Sequence, residues 1–262
     1  MKVSCLQMNM ELGNPDKNFN HAKELISEAM KENPDVLVLP ETWNTGFFPK
    51  DILFESSCSD GDEVKAVIGG LAKEYAVNMV AGSVSNVREN RIYNTAYVFD
   101  RQGCCVAEYD KTHLFTPMGE DKYYTAGNHL SCFTLDGVRC AVIICYDIRF
   151  PELVRTLALK GLDMLFVVSQ WPKSRTFHLH TLLTARAIEN QMFAVCCNSC
   201  GIAGDTVFGG NSAVINPLGE TLAKAGEREE IISVNCNLSM LCEIRGSIPV
   251  FRDRRQELYT AK

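Results

Sequence analysis

Residues 142–152 read VIICYDIRFPE. A short apolar run ends in Cys145, and Asp147, Arg149 and Glu152 crowd the positions just beyond it. Pro151 has a fixed φ that suits the first turn of a helix, so the stretch reads as a buried strand, a polar turn and a helix start. A cysteine that only filled a core would need no such company. The stretch therefore poses two questions: whether strand and helix alternate elsewhere, and whether the crowding is chemical.

The alternation extends in both directions. Residues 16–31 place Phe19, Ala22, Leu25, Ile26, Ala29 and Met30 at helical spacing after the start signal Asn14-Pro15. Residues 35–40, DVLVLP, form a continuous apolar run, as expected of a strand buried on both faces. Strands are also expected at 3–9, 78–85, 163–170, 192–198, 212–216, 220–224 and 230–235, and helices at 61–76, 151–160, 177–190 and 239–245. Two hairpins stand between them. One joins 91–100 to 104–111 through Arg101-Gln102-Gly103; the other joins 131–135 to 139–145 through Asp136-Gly137, a strong hairpin signal. Helices mixed with parallel and antiparallel strands imply a layered α/β fold with mixed sheets. Two sheets packed together with helices outside would hold this many strands. No linker, low-complexity segment or charge block divides residues 1–262, so a single domain is expected.

Bulk properties narrow the function. The chain has 262 residues, 46% hydrophobic and 22% charged, an ordinary globular composition. Its net charge of −6 argues against nucleic acid as a partner, because phosphate binding needs surplus Lys and Arg. The first residues read as a strand and not a signal peptide, and no apolar run approaches the roughly 18 residues of a membrane span. Twelve cysteines in a chain of this kind point to a reducing cytoplasm rather than a disulfide framework. Cys5, Cys132, Cys140, Cys196 and Cys236 lie in strand-like segments and read as small apolar residues.

Several chemistries lack local support. There is no G-x-S-x-G elbow, G-x-G-x-x-G turn, phosphate-binding P-loop or H-E-x-x-H helix. Cys197-Asn198-Ser199-Cys200 is a lone C-x-x-C downstream of His178 and His180. It has no second paired cluster for zinc, and it enters a Gly-rich loop instead of opening a helix as a redox motif would. No metal site is expected.

A nucleophilic thiol needs a base to take its proton and a group to stabilise the oxyanion. Three strand ends offer such parts: Glu41 after DVLVLP, Lys111 after CCVAEYD, and Cys145 after RCAVII. Ligand sites in α/β folds collect at the carboxyl ends of strands, so the three can converge. Taken singly, each has a plain alternative: a solvated carboxylate, a surface charge, an inert core thiol.

Taken together with their flanks, LPETWNTGFF, YDKTHLF and ICYDIRFPE resemble the nitrilase, or carbon–nitrogen hydrolase, superfamily. The resemblance continues through QWPKSR, LLTARAIENQ, GGNSAVINPLGE and IPVFRDRRQELY, nearly the whole chain. It implies a four-layer αββα sandwich and a Glu–Lys–Cys triad at Glu41, Lys111 and Cys145. It implies too that Glu120 in TPMGEDKYYTAGN helps to position substrate, although Asp121 is adjacent, and that the backbone N–H of Tyr146 faces the oxyanion. No cofactor and no metal are implied. Association into a homodimer or larger homo-oligomer is expected, with the tail from about 246 to 262 contributing contacts. The chain looks most like the ω-amidase, or 2-oxoglutaramate amidase, group, which implies cleavage of the distal amide of a small dicarboxylate monoamide such as 2-oxoglutaramate or 2-oxosuccinamate. The expected partner is that small-molecule amide, with neither nucleic acid nor membrane. A substrate of this type carries a far carboxylate. Arg149 or Arg175 would bind it and Trp171 would wall the pocket, unless Arg149 pairs with Asp147 or Glu152 instead. An N-carbamoyl amine hydrolase, an aliphatic amidase or a catalytically idle scaffold are the alternatives.

Overall fold

The computed structural model describes residues 1–259. The first sheet begins with β1 (Lys2–Gln7), and α1 (Pro15–Ala29) leads to β2 (Val36–Val38). The short α2 (Leu53–Ser56) and β3 (Cys58–Ser59) precede α3 (Asp62–Glu74), and β4 (Asn78–Arg88), β5 (Arg91–Phe99) and β6 (Cys105–Asp110) complete this half. The second sheet starts with the hairpin β7 (Cys132–Leu135) and β8 (Val138–Ile144), followed by α4 (Pro151–Ala158), β9 (Met164–Ser169), α5 (Thr176–Asn190) and β10 (Phe193–Asn198). A separate hairpin, β11 (Cys200–Ala203) and β12 (Thr206–Gly209), interrupts the sheet before β13 (Ala213–Ile215) and β14 (Thr221–Lys224). The chain then returns to the first sheet as β15 (Glu230–Asn235), followed by α6 (Met240–Ser247) and a 3₁₀ turn at Gln256–Leu258.

Strand order is β15-β1-β2-β4-β5-β6 in the first sheet, with β3 on β4, and β14-β13-β10-β9-β8-β7 in the second. Both sheets are mixed, with parallel pairs β1–β2, β2–β4, β8–β9 and β9–β10 at their centres. The run DVLVLP shows how the layers arise. Val36 and Val38 enter the core shared by the two sheets, while Leu37 and Leu39 join the cluster under the helices. A strand repeats every two residues, so an unbroken apolar run feeds both faces. On the outer side α1 buries Phe19, Ala22 and Ile26, and α3 buries Val64, Ile68 and Ala72, each set on one helical face. On the second sheet, Leu153, Val154 and Leu157 of α4 and Leu179, Leu183 and Ala187 of α5 close the core. Full burial of each large aliphatic side chain is worth about 1.5–3 kcal/mol over exposure. The outcome is a four-layer αββα sandwich, as the family resemblance implied.

Local chemistry fixes the ends. Asn14 accepts from the Lys17 backbone N–H at 3.3 Å and Pro15 opens α1. Asp136 and Gly137 both have positive φ, +48° and +81°, as the β7–β8 hairpin turn requires. Gly82 sits in a bulge of β4, and a side chain there would strike the Pro40 carbonyl oxygen at 2.0 Å. This close approach lets the chain leaving β2 hug β4 and directs Glu41 inward.

Two expectations need correction. The segment after Cys200 is no loose Gly-rich loop: it is the β11–β12 hairpin, turned through Gly204-Asp205, a two-residue turn pair of a kind that favours hairpins. Cys132 is exposed, because it falls on the outward phase of an edge strand, so it is not a core residue. Residues 260–262 of the expected tail lie outside the described residues. No helix among the described residues is long and apolar enough to cross a membrane.

Candidate active site

Glu41, Lys111 and Cys145 follow the last residues of β2, β6 and β8, and the two packed sheets bring these three ends together. Lys111 and Glu41 are fully buried, and Cys145 is 8% exposed. The Lys111 ammonium donates to Glu41 Oε1 at 2.8 Å and to both Glu120 oxygens at 2.9 Å. Glu120, at the start of a short 3₁₀ turn (Glu120–Lys122), also accepts from the Phe115 backbone N–H at 2.6 Å. Of the two acidic residues in this loop, Glu120 is buried against Lys111 and Asp121 is exposed.

Burial disfavours the charge on Lys111, but the carboxylates of Glu120 and Glu41 outweigh it and hold the ammonium pKa well above its ordinary value. Burial raises the Glu41 pKa as well, with Lys111 pulling in the opposite direction and Glu120 adding to the rise. Burial, reinforced by Glu41, keeps the Cys145 thiol well above its ordinary value despite Lys111. The resting group is therefore a thiol that needs a base, and Glu41 faces it.

Cys145 begins a 3₁₀ turn (Cys145–Arg149) with φ at +49°, the left-handed region that non-glycine residues rarely adopt. Such a conformation costs on the order of 1–3 kcal/mol and persists only where surrounding contacts enforce it. The turn presents the thiol, with the Tyr146 N–H beside it in the first turn where helix donors lack intrahelical partners. Both residues line one cavity.

The same cavity is lined by Lys111, Arg149, Trp171 and Arg175, so the expected pocket residues do converge. The Arg149 guanidinium lies over the Trp171 ring at 4.7 Å and approaches His178 Nδ1 at 3.3 Å. It does not pair with Asp147, whose two oxygens are taken by other donors. Arg175 stacks over Phe115 at 5.2 Å. No Asp or Glu side chain is among the lining residues, whose charged members are Lys111, Arg149 and Arg175.

Sequence reasoning missed three contributors. Asn94 on β5 donates to Glu41 Oε1 at 2.9 Å, and the Gln170 backbone N–H donates to Oε2 at 2.8 Å, so both carboxylate oxygens are held. Gln170 is part of the segment QWPKSR, but nothing in the sequence said that its main chain was the active part. The β11–β12 hairpin supplies Thr206 and Phe208 to the cavity wall, where Phe208 meets Phe47 edge-on at 5.9 Å. Cys197 and Cys200 fall on β10 and β11, and no group of three or more His, Cys, Asp or Glu side chains among the described residues is arranged to hold a metal ion.

Comparison with known proteins yields the following. The model of a family described as carbon–nitrogen hydrolase matches residues 2–245. A 2-oxoglutaramate amidase of Bacillus subtilis (strain 168) is 42% identical over 98% of both chains. A hydrolase in the agr operon of Staphylococcus aureus is 41% identical over 99% of this chain and 100% of that one. Among solved structures, a CN-hydrolase superfamily protein of Xanthomonas campestris, determined with an arsenic adduct in its active site, superposes with a TM-score of 0.90 at 29% identity over 97% of both chains.

Proposed function

The chain belongs to the carbon–nitrogen hydrolase family, and on that premise we propose that it is an amidase for short dicarboxylate monoamides, releasing ammonia through a thioester on Cys145. The observation that carries this proposal is the pairing of a buried thiol with two arginines in one small cavity that no carboxylate lines. A neutral amide offers such arginines no charge to pair with, whereas a far carboxylate fits their planar forks. The Bacillus subtilis relative, named a 2-oxoglutaramate amidase, supports the same substrate class.

The chemistry follows from the residue types. Glu41 takes the Cys145 proton as sulfur bonds to the amide carbon. The oxyanion that forms faces the Lys111 charge and the Tyr146 backbone N–H, and losing one such donor typically costs on the order of 100–1000-fold in rate. The three N–H groups of Lys111 point to Glu41 and Glu120, so it acts on the oxyanion first as a charge. The carbon–nitrogen bond then breaks, and the proton held on Glu41 leaves with ammonia. Water gives a proton to Glu41 and attacks the thioester, freeing the acid and the thiol. Glu120 holds Lys111 in place throughout. Association of two or more copies belongs to the same proposal, supported by the exposed apolar side chains of Ile248, Leu258 and Tyr259 in the tail.

An ammonia-release panel tests the proposal: 2-oxoglutaramate, succinamate, N-carbamoyl-β-alanine and neutral aliphatic amides, each with the parent protein and with Arg149→Ala. The parent should favour the first two. Arg149→Ala should raise KM for them by roughly tenfold or more, the loss of a charge-assisted pair, and leave neutral amides unaffected. A parent that prefers neutral amides, or equal effects of the substitution on both classes, contradicts the substrate assignment.

A further inference from the structure

Resting on the amidase proposal above, we propose that Asp147 is a positioning residue that sets the Cys145 nucleophile against Lys111. Its carboxylate is fully buried and accepts five hydrogen bonds. Oδ2 accepts the Ile144 N–H at 3.0 Å, a bond that spans Cys145 and closes the turn that gives the cysteine its positive φ. The same oxygen accepts the Tyr109 hydroxyl at 2.8 Å. Oδ1 accepts the Thr112 hydroxyl at 3.1 Å, the His113 backbone N–H at 3.0 Å and His113 Nδ1 at 2.8 Å.

Tyr109, Thr112 and His113 bracket Lys111, and Ile144 and Asp147 bracket Cys145. One carboxylate thus ties the end of β6, in the first sheet, to the end of β8, in the second. Glu41 and Glu120 fix the ammonium end of Lys111; Asp147 fixes the main chain from which it extends and the strained turn that presents the thiol. A buried carboxylate is costly to desolvate, and its only charged-type contact among the described residues is the half-buried His113. Filling space between two strands would need only an apolar side chain. Holding two backbone N–H groups, one at the end of β8 and one just beyond β6, at a fixed separation needs two acceptors on a rigid fork.

Asparagine separates these roles because it keeps the shape but offers one acceptor oxygen. Hydroxyls can rotate to accept from its amide, but backbone N–H groups cannot. Either orientation of the amide therefore sets an N–H against the Ile144 or the His113 main chain, and the turn must shift. A misplacement of about 1 Å can cost on the order of 100-fold in rate.

The experiment measures ammonia release, the rate of thiol alkylation by iodoacetamide, and thermal unfolding for Asp147→Asn, Tyr109→Phe and Cys145→Ala. Asp147→Asn should still unfold cooperatively, lose roughly 100-fold in kcat with KM within about threefold, and alkylate at an altered rate. Tyr109→Phe removes one side-chain donor and spares both backbone bonds, so its kcat should fall by about two- to tenfold with KM unmoved. A folded Asp147→Asn protein with kcat within about threefold of the parent overturns the proposal. If Asp147→Asn does not fold, Tyr109→Phe decides: a reduced kcat at constant KM supports the positioning role, and an unchanged kcat overturns it. Cys145→Ala is the separate control, since ammonia release by that variant would remove the amidase mechanism itself and not merely the role of Asp147.

Discussion

Cys145 and Cys197 make an instructive pair. Ile144 and Cys197 both stand opposite Val168 on β9, so Cys145 is one residue further along its strand than Cys197 is on β10. Both thiols are buried, and burial drives both pKa values well above the ordinary cysteine value. Their neighbours differ. Cys197 meets the Cys5 thiol and the Leu6 carbonyl, its Sγ 3.3 Å from that oxygen, and packs into the core between the sheets. Cys145 has passed the end of the strand into a left-handed turn and faces Glu41, Lys111 and the Gln170 N–H. Burial and a raised pKa thus mark an inert thiol and a candidate nucleophile alike. What separates the two is a base and a cation held within reach.

If that difference is chemical, removing the base should cost the most. Glu41→Gln keeps the shape and the acceptor for Asn94 or Lys111 but cannot take the thiol proton. Ammonia release should fall by about 10²–10⁴-fold, the usual worth of a general base, in a protein that still unfolds cooperatively. Activity within about tenfold of the parent would return Cys145 to the class of Cys197. In the parent, Glu41 must be ionised to act, and burial raises its pKa above the ordinary 4.5. Activity should therefore decline on acidification at a pH above that value, and this acid limb should be absent from the residual rate of Glu41→Gln.

Much of this contrast could be read in the sequence. DVLVLP and RCAVII are strands by composition, and the residues that follow them, Glu41 and Cys145, need only strand-end convergence to meet. The alternation and the hairpins implied a layered α/β fold with mixed sheets, and the family resemblance implied the four-layer sandwich. What escaped was contributed by main-chain groups or by side chains distant in sequence. Gln170 acts on Glu41 through its backbone N–H, a donor that every non-proline residue has. Asn94 lies mid-strand on β5, where an asparagine gives no sign that it faces a carboxylate. Asp147 was visible beside Cys145, but four of the five hydrogen bonds it accepts come from Tyr109, Thr112 and His113, more than thirty residues upstream. The β11–β12 hairpin did carry a signal, Gly204-Asp205, which the neighbouring glycines obscured.

A smaller effect sharpens the apolar side of the comparison. Burial pushes the Cys196 and Cys236 thiols up to about 12 from 9.0. A raised pKa gives stability that is complete below the unfolded value and is lost as pH rises toward the folded one. Urea unfolding should accordingly show stability declining above pH 9, by roughly 1 kcal/mol per pH unit for each such thiol. Cys196→Ala should flatten the decline by its share; an unchanged slope would mean that this thiol is not buried as described.

The most direct measurement sets the two strand-end cysteines side by side: ammonia release from 2-oxoglutaramate by the parent, Cys145→Ala and Cys197→Ala, each verified as folded by its unfolding transition. The expected result is no release above background for Cys145→Ala and a kcat near the parent's for Cys197→Ala, with the latter variant losing only stability. Release by Cys145→Ala at the parent rate would contradict the claim that this thiol is the nucleophile.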